Sequence, residues 1–170
     1  TLVTLGSAGV IATDSGILRG INKINAVGMN TPGSIMTAKV TDHSSPLVYG
    51  YDEFTHVFRG NAPVFSLPDY DREYSPLQFG AKDFDDGSGD KNSPAKGSGN
   101  SDEEESRPNP PLVLSGGIVR GADVIDGKPA IVSKPLDDGH IVLFSWNPMH
   151  RHVNHHDHAF VYNALLNWND

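Results

Sequence analysis

A segment near the middle of the chain, residues 81–109, lacks the apolar side chains that a hydrophobic core needs. Of its 29 residues only Ala81, Phe84 and Ala95 are apolar, while Gly, Ser, Asp and Glu dominate the rest. It carries half of the net charge of −8, because eight acidic residues stand against four basic ones. Such a composition cannot bury enough surface to fold alone. We therefore predict an acidic loop inserted into a single domain, residues 1–170, or into the C-terminal part of such a domain.

The overall composition excludes several classes of protein. With 13 Lys and Arg against 21 Asp and Glu, the chain offers no broad basic surface to a nucleic acid or an anionic membrane. No apolar run approaches the ~20 residues that span a bilayer. The absence of cysteine excludes disulfides, thiolate zinc ligands and a cysteine nucleophile. We predict neither a nucleic-acid partner nor a membrane span.

The chain begins with the pattern of a strand, a tight turn and a helix. Residues 1–5 are typical of a buried strand, Gly6-Ser-Ala-Gly9 of a turn and residues 10–18 of a short helix. This order indicates a βα unit and predicts an α/β fold with a parallel sheet. Leu2 and Leu5 would leave an apolar edge, so we expect an upstream segment, another protein chain or a second copy to cover the strand that starts at Thr1.

Further strands and a closing helix follow from residue periodicity and turn chemistry. Ser34–Val40 alternates as a strand does, and a hairpin is predicted between residues 129–134 and 140–146 across the turn Asp137-Asp-Gly139. Residues 62–67, 75–79 and 111–114 are the other predicted strands. The last helix carries an apolar stripe, with Asn154 or Asp157 as its N-cap; the stripe comprises Val161, Ala164, Leu165 and Trp168.

Six blocks of the sequence carry a family resemblance. They are TLVTLGSAG, PGSIMTAKV, SSPLVYGY, APVFSL, GKPAIVSKPLDDGHIVLFSWNPMHRH and FVYNALLNW. Together they resemble the C-terminal domain of bacterial secreted zinc carboxypeptidase-like proteins of the carboxypeptidase A type. That domain is class I glutamine amidotransferase-like, with a flavodoxin-like fold. The resemblance implies a partial flavodoxin-like sheet with flanking helices, a C-terminal β-hairpin and helix, and a secreted or periplasmic location.

The resemblance also places Ser7 at a position of chemical interest. Catalytic amidotransferases hold a nucleophilic Cys on a strand-to-helix elbow, and Ser7, with Gly9 after it, resembles that elbow. The family's His-Pro-Glu motif would fall at Asn147-Pro-Met149, which has neither the base nor the carboxylate. We therefore expect no glutamine hydrolysis. Ser7 is either a helix cap or the nucleophile of an independent hydrolase.

The zinc site of the related peptidases has no counterpart in this sequence. It requires a His-x-x-Glu pair, and no histidine here has a Glu three residues later. The predicted function is therefore a non-catalytic accessory or assembly domain of a zinc carboxypeptidase-like protein, with the peptidase zinc outside this chain. The alternatives are a stand-alone hydrolase that uses Ser7 or a histidine-bound metal, and a calcium-ordered, self-assembling surface module.

Five of the eight histidines lie within nine residues, from His150 to His158. The spacing of His152, His155 and His156 lets imidazoles on one turn converge on Zn²⁺, Cu²⁺ or Ni²⁺. The sequence predicts a candidate transition-metal site there, and the alternative is hydrogen-bonded or exposed histidines. Its candidate ligands are His150, His152, His155 and His156.

The acidic insertion contains a second candidate metal site. Carboxylates alternate with glycines in a way that suits the oxygen ligands of Ca²⁺, although the spacing is not that of an EF-hand. The alternative is a solvated loop. The candidate calcium ligands are Asp83, Asp85, Asp86 and Asp90.

Overall fold

The computed structural model describes residues 1–82, 109–116 and 119–167. Two α-helices, α1 (Gly9–Asp14) and α2 (His158–Leu166), accompany the strands, and short 3₁₀ turns connect many of these elements. The strands are β1 (Leu2–Leu5), β2 (Asn22–Ile24), β3 (Ser34–Val40), β4 (Phe54–Arg59), β5 (Val64–Ser66), β6 (Leu77–Phe79), β7 (Val113–Gly116), β8 (Pro129–Leu136) and β9 (Gly139–Phe144). The protein is thus a mixed α/β fold with few helices.

Seven of these strands form one mixed sheet. Its order is β1-β9-β8-β6-β3-β4, and β7 also pairs with β3, while β2 and β5 form a separate antiparallel pair. Among the described strands only β1 and β9 run parallel. The prediction of a parallel sheet is therefore wrong beyond that pair. For β8 and β9 the reason is connectivity, because a hairpin turn returns the next strand antiparallel, whereas a parallel neighbour needs a crossover.

The predicted hairpin is confirmed. β8 and β9 pair antiparallel from Ile131 opposite Phe144 to Leu136 opposite Gly139. Asp137 occupies the tight turn with a φ of +49°, in the left-handed region that aspartate tolerates better than most residues. β3 has the predicted limits, whereas β2 and β4 were not predicted, and the strands around residues 65, 78 and 114 differ from prediction at their ends.

Two apolar layers cover opposite faces of the sheet, as the period of two along β9 requires. Val142 and Phe144 face a core that includes Phe160 of α2 and also Trp146, which follows β9. Ile141 and Leu143 face the other core, which contains residues of α1, β5 and the intervening loops. The helices thus cover the two sides of the β8–β9 hairpin.

The helices differ from the sequence predictions in length and capping. α1 is shorter than the predicted helix over residues 10–18, and its N-cap is Ala8 rather than the predicted Ser7. Asp157, one of the two predicted N-cap residues of the last helix, does occupy the N-cap position of α2, whereas Asn154 does not, and the Asp157 side chain makes no capping hydrogen bond. On α2, Val161 and Ala164 are buried but Leu165 is 58% exposed. Trp168 lies outside the described residues. None of the helices in the described ranges is long and apolar enough to cross a membrane.

Candidate functional site

A cleft of about 610 Å³ opens where the parallel strands β1 and β9 end. Open α/β sheets commonly bind ligands in such a crevice at the carboxyl ends of their strands. One wall contains the turn after β1 and the segment after β9, and the other contains the loops beside β3 and β4. The polar side chains that line the cleft are Ser7, Asn61, Asn147 and His150.

The first wall is built by the strand-to-helix turn. The N–H of Gly6 donates to the carbonyl of Trp146 at 2.8 Å, so the turn stays joined to the chain that follows β9. Gly6 has a φ of +55°, which most other residues would adopt only with strain. Ser7 is exposed at the cleft, and its hydroxyl has no hydrogen-bond partner in the described part of the chain. The turn therefore presents a hydroxyl without an attached base.

The second wall is held by a buried arginine. The Arg59 guanidinium, with no exposed surface, donates to the carbonyl oxygens of Gly60 at 3.0 Å and Ala62 at 2.6 Å and to the Thr31 hydroxyl at 2.7 Å. Asn61 accepts the N–H of Thr31 at 2.6 Å. Burial lowers the pKa of Arg59 to about 10, so it stays charged at neutral pH. These bonds fix the loop that faces Ser7 across the cleft.

His150 forms the rim of the cleft. Its ring stacks on Phe58 with the ring centres 5.9 Å apart and the planes 16° from parallel. It follows Asn147, whose side-chain carbonyl accepts the N–H of Met149 at 3.0 Å. Ser7 and His150 therefore share one cleft, but no hydrogen bond joins them.

Asp157 anchors the histidine-rich segment behind this rim. One carboxylate oxygen accepts the Phe58 N–H at 2.9 Å and the Trp146 indole N–H at 3.1 Å, and the other accepts the Asn154 amide at 2.9 Å. Its side chain is only 1% exposed. Burial raises the pKa of Asp157 to about 7, although the hydrogen bonds from Phe58 and Trp146 act in the opposite direction. One carboxylate thus connects β4, the end of β9 and the start of α2.

The structure separates the histidines that the sequence groups together. His150 lies at the cleft, as described. His156 instead packs against β4, where its Nε2 is 2.7 Å from the Thr55 hydroxyl and its ring stacks on His56 at 4.7 Å. Burial, and then the nearby charge of His56, lower the pKa of His156. These two histidines therefore do not join the other predicted ligands.

A third group of histidines does assemble. The rings of His152 and His155 are 5.8 Å apart, and both contact the ring of His158, at 5.3 Å and 5.2 Å. Burial, followed by the charges of His152 and His155, lowers the pKa of His158, so its neutral form is favoured. We call these three residues the imidazole cluster. His158 was not among the ligands predicted from sequence.

As the side chains are placed in the described ranges, no group of three or more His, Asp or Glu residues could hold a metal ion. The four aspartates predicted as calcium ligands, Asp83, Asp85, Asp86 and Asp90, lie outside the described residues. Both candidate metal sites of the sequence analysis therefore remain predictions.

Several residues of the site escaped the sequence analysis. Phe58 and Arg59 belong to β4, which was not predicted as a strand, and Asn61 follows it. Asp157 was predicted only as a helix cap. The β-branched and aromatic residues of segment 54–58 were a usable signal for β4. Nothing local indicates that Asp157 points inward.

Comparison with known proteins identifies no relative. No family model matches the chain, and no curated protein or solved structure matches it significantly.

Proposed function

We propose that this chain is a non-catalytic accessory domain of a secreted zinc carboxypeptidase-like protein, and that its cleft binds a ligand without transforming it. The proposal rests on the surroundings of the Ser7 hydroxyl. Its hydroxyl lines the cleft without a hydrogen-bonded base, and nucleophilic catalysis by a hydroxyl requires one. The family and the secreted or periplasmic location rest on the sequence resemblance.

The geometry of the βα unit supports the finer part of the proposal. β1 enters the turn beside β9 in parallel, and Asn147 lines the same cleft as Ser7. The resemblance to a flavodoxin-like, amidotransferase-like domain places the nucleophile elbow and the missing His-Pro-Glu motif at these positions. In this proposal the strand-to-helix turn keeps the shape of a nucleophile elbow, but the residues that would activate Ser7 as a nucleophile are replaced.

The cleft lining also suggests the character of the ligand. Apart from His150, none of the described residues that line the cleft has an ionisable side chain, although the chain carries a net charge of −8. Phe58 and Pro32 supply apolar surface, and the amides of Asn61 and Asn147 supply hydrogen-bonding groups. Such a surface favours a neutral ligand with polar and apolar parts.

The alternative function is hydrolysis by Ser7, favoured by the presence of His150 in the same cleft. Catalytic hydrogen bonds can be long in a free enzyme and shorten when substrate binds. The purified protein and its Ser7→Ala variant would be assayed on neutral ester and amide substrates. Equal background rates support the accessory domain, whereas hydrolysis that Ser7→Ala abolishes contradicts it.

A second experiment tests the parentage. Intact mass and peptide mapping of the natural material would show whether the chain is joined to, or co-purifies with, a segment that carries a His-x-x-Glu pair. Such a segment is the expected result. Its absence from both the polypeptide and its partners would refute the accessory role.

A further inference from the structure

The imidazole cluster brings together three histidines that hydrogen bonding does not explain. His152 comes from one 3₁₀ turn, His155 from the next, and His158 is the first residue of α2. Their ring centres are 5.2–5.8 Å apart in every pair.

The buried member of the cluster has an unused nitrogen. His158 is only 8% exposed, and its Nε2 has no hydrogen-bond partner. A buried polar atom without a partner costs free energy, so such atoms are uncommon in folded proteins. A ligand between the rings would satisfy this nitrogen.

The backbone beside the cluster is strained. Arg151 and His152 have φ values of +50° and +53°, in the left-handed region that costs a non-glycine residue roughly 1–2 kcal/mol. Strain of this kind is concentrated at functional sites, where the surrounding structure holds it in place. Here it accompanies the turn that brings His152 to His158.

We propose that His152, His155 and His158 together bind one divalent transition-metal ion. An imidazole nitrogen about 2.0–2.1 Å from Zn²⁺ places the ring centres of two such ligands roughly 5–6 Å apart, which is the spacing of the cluster. As they are placed, the three side chains do not form a group that could hold a metal ion. The proposal therefore requires the exposed side chains of His152 and His155 to turn toward His158 when the ion binds.

The chemistry of the neighbours restricts the ligands to imidazole. The carboxylate of Asp157 is committed to Trp146, Phe58 and Asn154, so it is not free to bind the ion. Neutral imidazoles suit Zn²⁺, Ni²⁺ and Cu²⁺ and discriminate against Ca²⁺ and Mg²⁺, which take oxygen ligands. Three protein ligands leave a position open to water.

The test is calorimetric titration of the purified chain with Zn²⁺ and separately with Ni²⁺, combined with thermal unfolding with and without the metal. We expect one equivalent to bind and the melting temperature to rise, because an ion that binds only the folded state stabilises it. His152→Asn and His155→Gln, both at exposed positions, should each weaken binding about tenfold or more. Since these variants leave the buried His158 in place, they are expected to fold.

Two matched controls make the test specific. His43→Asn changes an exposed histidine outside the cluster and should leave metal affinity unchanged. His156→Gln removes a ligand that the sequence spacing favours, and it should also leave affinity unchanged because His156 is engaged with Thr55. The proposal would be overturned if the chain bound neither Zn²⁺ nor Ni²⁺. It would also be overturned if the His43 or His156 variant lost as much metal affinity as the His152 and His155 variants.

Discussion

The β8–β9 hairpin and the histidine-rich segment that follows it are neighbours in the chain but are held by different kinds of interaction. The hairpin is secured by a regular ladder and by side chains buried on both faces, among them Ile131, Val132, Leu143 and Phe144. Residues 150–158 are mostly exposed and depend on a few polar anchors, of which Asp157 is central. We expect apolar packing to dominate stability in the hairpin, and charge state and metal binding to matter mainly in the histidine-rich segment.

The largest effect should come from Trp146, which lies where the two regions meet. Its buried indole makes edge contacts with Phe144 and Phe160 at 5.5 Å and 5.6 Å between ring centres. Trp146→Ala should lower the free energy of unfolding by about 3–5 kcal/mol, because it leaves a large cavity. Chemical denaturation measures this loss. A loss below 1 kcal/mol would show that the indole is not part of the core.

Removing the anchor of the histidine-rich segment should have the next largest effect. Asp157→Ala leaves the Trp146 and Phe58 N–H groups without their acceptor, and we expect a loss of about 2–4 kcal/mol. Asp138→Ala, in the exposed hairpin turn, is the matched control and should change stability by less than about 0.5 kcal/mol. Equal losses in denaturation experiments on the two variants would contradict the contrast between the regions.

The pH dependence of stability should reveal Asp157. Its pKa is raised to about 7 from an ordinary value of 3.8. Between these two pKa values the folded protein keeps a proton on Asp157 that the unfolded chain loses. The free energy of unfolding contributed by Asp157 therefore declines as pH rises from about 4 to 7. The pKa values of His156 and His158 are lowered, so these two residues have the opposite effect. Their contribution to the free energy of unfolding is lost as pH falls below 6.5.

A comparison with Asp157→Asn separates these contributions, since the variant lacks the carboxyl but keeps the histidines. The stability difference between wild type and variant, measured in EDTA, should shrink by about 2 kcal/mol between pH 5 and pH 7. A difference that grows with pH would mean that the hydrogen bonds to Asp157 outweigh its burial.

The smallest effect should distinguish the two left-handed turns. Arg151 and Asp137 have nearly the same φ, +50° and +49°, but aspartate tolerates this conformation better than arginine. Arg151→Gly should therefore stabilise the protein by about 0.5–1 kcal/mol, and Asp137→Gly should have less effect. Thermal unfolding of both variants without metal checks the order. A larger gain from Asp137→Gly would reverse the comparison.

Prediction from sequence succeeded where the signal is local. β3 and the β8–β9 hairpin were predicted because alternation and turn residues act over a few positions. It failed for Ser7 as a helix cap. Asp157 takes the N-cap position of α2, but its carboxylate accepts hydrogen bonds from Phe58 and Trp146 instead of capping the helix, because such a side chain can bond a distant donor as well as a neighbouring N–H. It could not show the surroundings of His156 and His158, because these depend on what β4 and α2 place beside them.

The sequence by itself determined the α/β class, the sites of the hairpin and closing helix, and the concentration of histidines near the C-terminal end of the chain. Only the tertiary structure decided which strands pair antiparallel, which histidines meet and where the cleft opens. The reason is separation along the chain: Phe58 and Asp157 are 99 residues apart, and Tyr51 and His156 are 105 apart, yet each pair shares a hydrogen bond. Residue periodicity carries no information about contacts at that distance, whereas packing of the folded sheet brings these groups together.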